Sequence, residues 1–366
     1  MHQVTFDCDI PYNALPDLPP QVNLETPAIF KTTIRANRLL AELKGFCQRL
    51  PNPNLLLNTI VLQESKESSA VENIVTTQDE LYKATLMGDK VRNQAAKEVL
   101  QYREAMYYGI RKLEETQGII TTNLFVGIMQ RLRNTTEDIR KSVGTKLLNP
   151  NHKQIIYTPP EGEQVIRKKL YDLELFINNA DSNQLDPLIK MALIHYQFEA
   201  IHPFSDGNGR TGRILNILYL MQQELIDLPV IYLSKYIIDN KLDYYRLLRG
   251  VTESNNWEQW VLYMVNGVAE TSLLTLNTIK EILALKHEAE TTLRTSLGTT
   301  FSRELSDLLF SYPYIKISIL EENCVAKRQT ASKYLQKIEH AGWLTSFKMG
   351  REVYYLNSRL IELLSK

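Results

Sequence analysis

The stretch His202-Pro203-Phe204-Ser205-Asp206-Gly207-Asn208-Gly209-Arg210-Thr211-Gly212-Arg213 decides how this chain is read. It follows one helical pattern, Pro187 to Ala200, and opens another, Gly209 to Leu225. Two glycines flanking an asparagine at a helix start let successive backbone N–H groups turn toward one point, and the positive end of the helix dipole adds to that field. Such a turn is a phosphate cradle. Arg210 and Arg213, three residues apart on the new helix, can both offer forked donors to phosphate oxygens. Asp206 is a hard oxygen ligand of the kind Mg²⁺ takes beside phosphates. A neutral imidazole at His202 is the natural general base for an alcohol near pH 7. Taken alone, Asp206 to Gly209 also reads as an ordinary turn; a calcium loop lacks its later carboxylates, and His195 with His202 lacks the spacing of a zinc site.

Helical spacing surrounds this segment. Apolar residues recur at threes and fours over Ile34 to Phe46, Leu55 to Leu62, Asp79 to Thr116, Thr121 to Leu132, Val165 to Asn178 and Trp257 to about Glu290. Prolines 11, 16, 19 and 20 keep the start of the chain extended and irregular. Between Gly144 and Pro160, Asn149, Pro150 and Asn151 separate two short stretches, the second β-prone, which predicts a hairpin. Thr291 to Thr300, rich in threonine and serine with Gly298, reads as a linker. Beyond it, helices at Glu304 to Phe310, Ile315 to Glu322 and Lys327 to Ala341, closed by Gly342, precede β-prone runs at Trp343 to Lys348 and Glu352 to Leu356. Three helices and a two-stranded wing follow the winged helix-turn-helix order.

Composition excludes more than it selects. Forty-two basic residues balance forty-two acidic ones, so no net field draws the chain to nucleic acid or membrane. Cys8, Cys47 and Cys324 stand far apart and in no metal-site spacing, which predicts a reduced, cytoplasmic setting. No basic start with an apolar core marks a secretion signal, and no apolar run approaches the roughly 18 to 20 residues of a membrane span.

The twelve-residue string resembles the signature of the Fic (Fido) family, His-x-Phe-x-Asp/Glu-Gly-Asn-Gly-Arg-x-x-Arg, and matches every defined position. His195-Tyr196-Gln197-Phe198-Glu199 and Ile201 look like that family as well. The resemblance implies a mainly α fold: an N-terminal helical segment over 1–90, a Fic catalytic core over 91–290 with a β-hairpin flap, the linker at 291–300, and a winged-helix domain over 301–366. It implies a protein adenylyltransferase, in which His202 takes the proton of a target's Ser, Thr or Tyr hydroxyl as that oxygen attacks the α-phosphorus of ATP. Asp206 would hold Mg²⁺ or Mn²⁺. The turn Gly207, Asn208, Gly209, with Thr211 and Gly212, would bind the phosphates; Arg210 would support the leaving group and Arg213 would grip the γ-phosphate. Phe204 would anchor the loop.

Upstream, Ser68-Ser69-Ala70-Val71-Glu72-Asn73 resembles the family's inhibitory motif, so that Glu72 would pair with Arg213 in place of the γ-phosphate, with Ser68 and Asn73 completing the motif. Ser69 to Glu72 also fits a helix capping box. By the same resemblance Ile156, Tyr157 and Thr158 form a flap that aligns the target, and Tyr244 and Tyr245 contact the nucleoside, although adjacent tyrosines on a helix also read as core and rim. Self-modification and a homodimer are compatible with such a chain. Lys327, Arg328, Lys333 and Lys337, with Lys348 and Arg351 on the wing, give a modest basic bias for DNA. Two other functions stay open: removal of AMP from modified proteins by the same site, and a nucleotide-responsive DNA-binding regulator.

Overall fold

A computed structural model of the protein describes residues 6–50, 53–87, 93–148, 154–179, 185–349 and 352–364. Residues 6–26 run without regular structure into α1 (Pro27–Gln48). Thr26 fixes its start by accepting the Ile29 N–H at 3.3 Å, while Pro27 takes the first helical position, where no donor is needed. Then come α2 (Asn54–Val71), α3 (Gln78–Met87), α4 (Gln94–Glu115) and α5 (Thr122–Arg133). The helical period from Asp79 to Thr116 is thus divided between two helices, and α4 begins at its own cap, where the Asn93 side chain accepts the Ala96 N–H at 3.1 Å.

Strands β1 (Leu147–Leu148) and β2 (Ile155–Tyr157) pair antiparallel, with Leu147 opposite Tyr157. The turn expected at Asn149, Pro150 and Asn151 lies outside the described residues. After α6 (Glu163–Asn178) come the two helices at the centre, α7 (Pro187–Ile201) and α8 (Asn208–Gln222). α7 is apolar nearly all round, as a helix buried on every side must be, and α8 packs against it. The rest of the core is closed by α9 (Leu233–Asp239), α10 (Lys241–Ser254) and α11 (Trp257–Leu297). α11 lies along α1 and reaches α7 through Trp260, whose indole N–H donates to the Ala192 carbonyl at 2.8 Å.

The expected linker at Thr291 to Thr300 is corrected: α11 continues through Leu297, and only a single 3-10 turn, Gly298–Thr300, follows. Leu293 and Leu297 are buried there, and the hydroxyls of Thr291, Thr292, Thr295 and Ser296 donate to carbonyls four residues back, satisfying within the helix the groups that suggested a loop.

The C-terminal unit comprises α12 (Arg303–Ser311), β3 (Tyr314–Lys316), α13 (Ile317–Glu322), α14 (Arg328–His340), β4 (Thr345–Met349), β5 (Glu352–Leu356) and α15 (Ser358–Leu364). Its sheet has the order β3-β5-β4, all antiparallel, with Ile315 opposite Tyr355 and Phe347 opposite Tyr354. The helix expected from Ile315 begins two residues later because Tyr314 to Lys316 pairs as a third strand, and α15 is an element that sequence reading missed. Lys327, Arg328, Lys333, Lys337 and Lys348 are exposed, whereas Gly350 and Arg351 fall outside the described residues. No described helix is long and apolar enough to cross a membrane.

Candidate active site

α7 stops because His202 adopts the left-handed conformation, φ 49°, and Pro203 follows it. The loop is then closed by Asn208, whose side chain accepts the Phe204 N–H and donates to the Phe204 carbonyl, both at 2.8 Å. Phe204 is fully buried near Phe198, so it anchors the loop in the core. Gly207, at φ 86°, makes the turn into α8 that a residue with a Cβ disfavours. The first N–H groups of α8 have no acceptor within the helix and open toward the loop.

An anion already lies over that helix start. A Cβ at Gly209 would collide with Oε1 of Glu72, so the carboxylate rests directly against the first turn. The same oxygen accepts from Arg213 Nη2 at 2.8 Å, while Arg213 Nε donates to the Ser68 hydroxyl at 2.8 Å and Nη2 to the Ser68 carbonyl at 2.9 Å. Burial favours the protonated form of Glu72, but Arg213 outweighs it and holds the carboxyl below its ordinary range. Glu72 follows the last residue of α2 and Ser69 bonds back to the Ser65 carbonyl, so the capping-box reading, which needs a helix start here, fails. Asn73, at φ 62°, accepts from Lys241 at 3.0 Å and turns the chain away.

Arg210 and Arg213 are both buried but diverge. Arg213 reaches α2, whereas Arg210 pairs with Glu98 of α4 at 3.1 Å and leaves its Nε without a hydrogen-bond partner. Thr211 is buried beneath them, and Gly212 admits the close approach of Glu199 from α7. Asp206 is half-exposed: Oδ1 accepts the Gly207 N–H and Oδ2 pairs with Arg133 at 2.5 Å. A half-exposed carboxylate is the kind of oxygen donor that Mg²⁺ or Mn²⁺ takes beside phosphates, and to offer Oδ2 to such an ion Asp206 would exchange its Arg133 partner for it. His202 is pushed down to about 4, first by burial and then by the charge of Arg140, which together outweigh Glu72 and Asp206. Its imidazole is therefore neutral at pH 7.

One expectation changes. Tyr244 is buried, with its hydroxyl 2.9 Å from His195 Nε2 and its ring among Trp260 and Tyr263, so it belongs to the core and offers no face to a nucleoside. Tyr245, edge-on to it, stays exposed and lies within electrostatic reach of Glu72 and Arg213. In the hairpin, the Tyr157 hydroxyl donates to the Ala200 carbonyl at 2.8 Å and that of Thr158 to the Cys8 carbonyl at 2.5 Å. Those two side chains therefore fasten the hairpin, and Ile156 alone of the three is only partly covered.

Sequence reading missed Arg133, Arg140 and Glu64, and gave Glu199 no role of its own. Glu64 could have been found, since it sits on the buried face of α2 four residues before Ser68; Tyr102 and Ser234 hydrogen-bond it, and burial lifts it to about 7. Arg140 leaves no local signal, because its partners are carbonyls 20 to 62 residues away.

Known proteins share this organisation. Residues 30–111 match the model described as Fic/DOC family N-terminal, residues 119–220 that of the Fic/DOC family, and residues 285–360 that of the C-terminal domain of SoFic-like protein adenylyltransferase. Protein adenylyltransferase fic-1 of Caenorhabditis elegans is 35% identical over 82 residues, which span 22% of this chain and only 16% of that protein. A probable protein adenylyltransferase of Aquifex aeolicus is 28% identical over 189 residues, covering 50% of this chain and 54% of its own. A Fic family protein from Desulfovibrio desulfuricans superposes with a TM-score of 0.56 at 20% identity, covering 92% of this chain and 98% of the other. Fic-1 of C. elegans superposes with 0.52 at 18% identity, covering 70% and 75%. The two superpositions bear on the fold alone. The three matched segments together take in well over half of the sequence and include the turn just described, so the chain belongs to the Fic/DOC family.

Proposed function

We propose that the protein is an adenylyltransferase that moves AMP from ATP to a Ser, Thr or Tyr hydroxyl of another protein and is restrained in cis by Glu72. One observation carries this reading: a neutral imidazole and the amide-rich start of α8 share one loop, and a carboxylate rests on that helix start in the grip of Arg213. A site that holds one anion so well is chemically ready for phosphate. The names of the matched relatives agree with the activity.

In this reading His202 accepts the proton of the acceptor hydroxyl. The oxygen bonds to the α-phosphorus, the bond from that phosphorus to the bridging oxygen breaks, and pyrophosphate leaves. The N–H groups of the turn from Gly207 to Gly209 and the guanidinium of Arg210 stabilise the charge that develops. Asp206 would hold Mg²⁺ or Mn²⁺, which neutralises phosphate charge when bound. Arg213 would meet the γ-phosphate once Glu72 withdraws. A latch closed in about 99% of molecules needs a preference of only about 2.7 kcal/mol, within reach of one charged pair backed by two further hydrogen bonds.

The test is transfer of label from ATP in Glu72→Gly, with and without His202→Ala. Glu72→Gly should label itself and added protein faster than wild type, and the second change should abolish labelling while ATP still binds. Absence of label from both variants would instead favour a nucleotide sensor, and loss of AMP from a pre-modified protein would favour the reverse reaction.

A further inference from the structure

Arg140 lies in the segment between α5 and β1, 5% exposed, and no described carboxylate forms an ion pair with it. Its guanidinium binds backbone instead. Nε donates to the His202 carbonyl at 2.7 Å, and Nη2 to the Pro160 carbonyl at 2.5 Å and the Ile201 carbonyl at 3.4 Å. Its own N–H donates to the Pro203 carbonyl at 2.9 Å. The physical need is plain: α7 ends at a left-handed residue followed by proline, so its last carbonyls have no helical donor and carry the negative end of the dipole. A buried cation at that end satisfies them. Pro160, however, belongs to the hairpin strand's exit and not to α7. One planar group therefore ties the catalytic loop to the hairpin, beside the parallel tie from Tyr157 to Ala200.

We infer that Arg140 is a positioning residue that holds His202 and the β1–β2 hairpin in one register, so that an acceptor hydroxyl presented at the hairpin meets the imidazole. This rests on the reading of His202 as the base. Arg140 also acts on the imidazole through charge. The ionised groups facing His202 are Arg140 from its own segment, Asp206 from the loop and Glu72 from α2, with the Glu199 carbonyl of α7 nearby, and of these Arg140 opposes protonation.

The experiment compares Arg140→Met and Arg140→Lys, each in the full chain carrying Glu72→Gly, with the His202→Ala chain as acceptor and labelled ATP as donor. Arg140→Met should lower the labelling rate about 10- to 100-fold at saturating ATP, the loss expected for a displacement near 1 Å, with KM for ATP unchanged. Relative to the Glu72→Gly parent, its acid limb should move up toward the ordinary histidine range, because the charge that opposes protonation of His202 is gone. Arg140→Lys keeps the charge without the fork, so its acid limb should stay in place while the rate recovers only in part. Hydrogen exchange supplies the readout free of activity: the amides of 155–158 and 204–207 should both exchange faster in Arg140→Met. A rate and acid limb equal to the parent in both variants, or faster exchange in only one of the two segments, would overturn the inference. Should Arg140→Met fail to fold, the same comparison with Arg140→Lys decides it. A parent that labels nothing would sink the reading of His202, and the exchange result would still decide the coupling.

Discussion

Four titratable groups in and around the site, two of them fully buried and two partly, pull in opposite directions. Burial, with Arg140 and Arg213 adding to it, pushes His202 down to about 4 and His195 to about 3, whereas burial lifts Glu64 and Glu199 to about 7 each. Below about pH 6.5 the unfolded chain binds protons on the two imidazoles that the folded chain refuses, so these groups make stability fall as pH falls. Above about pH 4.5 the folded chain keeps protons on the two carboxyls that the unfolded chain has released, so these make stability fall as pH rises. Between pH 5 and 6 the two pairs nearly cancel. Glu64→Gln retains a polar partner for Tyr102 and Ser234 but removes one of the opposing protons. Denaturant unfolding should show wild type nearly flat from pH 5 to 6, and the variant gaining stability with pH at about 1.4 kcal/mol per unit. Parallel curves for the two would mean that Glu64 is ionised in the fold.

At the scale of elements, α11 makes the sharpest test. If 291–297 is helix, Thr292→Pro removes a ladder hydrogen bond and presses its ring on the preceding turn, a loss of about 3 kcal/mol, while Thr292→Ala is nearly neutral. A flexible connection would accept both, and a thermal melt of Thr292→Pro matching wild type would restore the linker. The same region shows what could be seen in the sequence. Amphipathic helices such as α1, α4 and α6 announced themselves by period, and the 202–213 turn by residue types whose chemistry is local. Serine and threonine near 291–300 misled because their hydroxyls can close on their own helix as well as on a loop. Tyr314 to Lys316 is too short to show alternation, and only its partner β5 makes it a strand. Ser69 and Glu72 carry a helix-start spacing at a helix end, and nothing in the spacing tells the two apart. Which of Tyr244 and Tyr245 faces inward depended on how α10 sits against His195 and Trp260, a fact of packing alone.

Across the whole molecule, the helix bearing Glu72 is also a wall of the C-terminal unit. α12 packs on α2, and Gln63, two turns ahead of the latch, donates to the Leu364 carbonyl of α15 at 2.8 Å in a buried setting. Just past the latch, Tyr314 of β3 hydrogen-bonds Asp79 and packs its ring 5.8 Å from Tyr82, and Lys83 lies 5.9 Å over Phe347 of β4. The C-terminal unit thus grips the chain on both sides of Glu72 while α11 fixes it to the core through Lys286 with Asp307 and Arg359 with Glu288. On the proposed role of Glu72, loosening that grip should release it from the helix start without touching the 202–208 loop. Gln63→Leu with Tyr314→Phe removes two buried or half-buried hydrogen bonds, about 1–2 kcal/mol if half of their worth favours the closed state. In an otherwise wild-type chain, labelling from ATP should rise roughly 5- to 30-fold. In the Glu72→Gly background, where no latch remains, the same pair should change nothing. An equal rise in both backgrounds would assign the effect to the catalytic site itself, and no rise in either would mean that the C-terminal unit rests on α2 without bearing on Glu72.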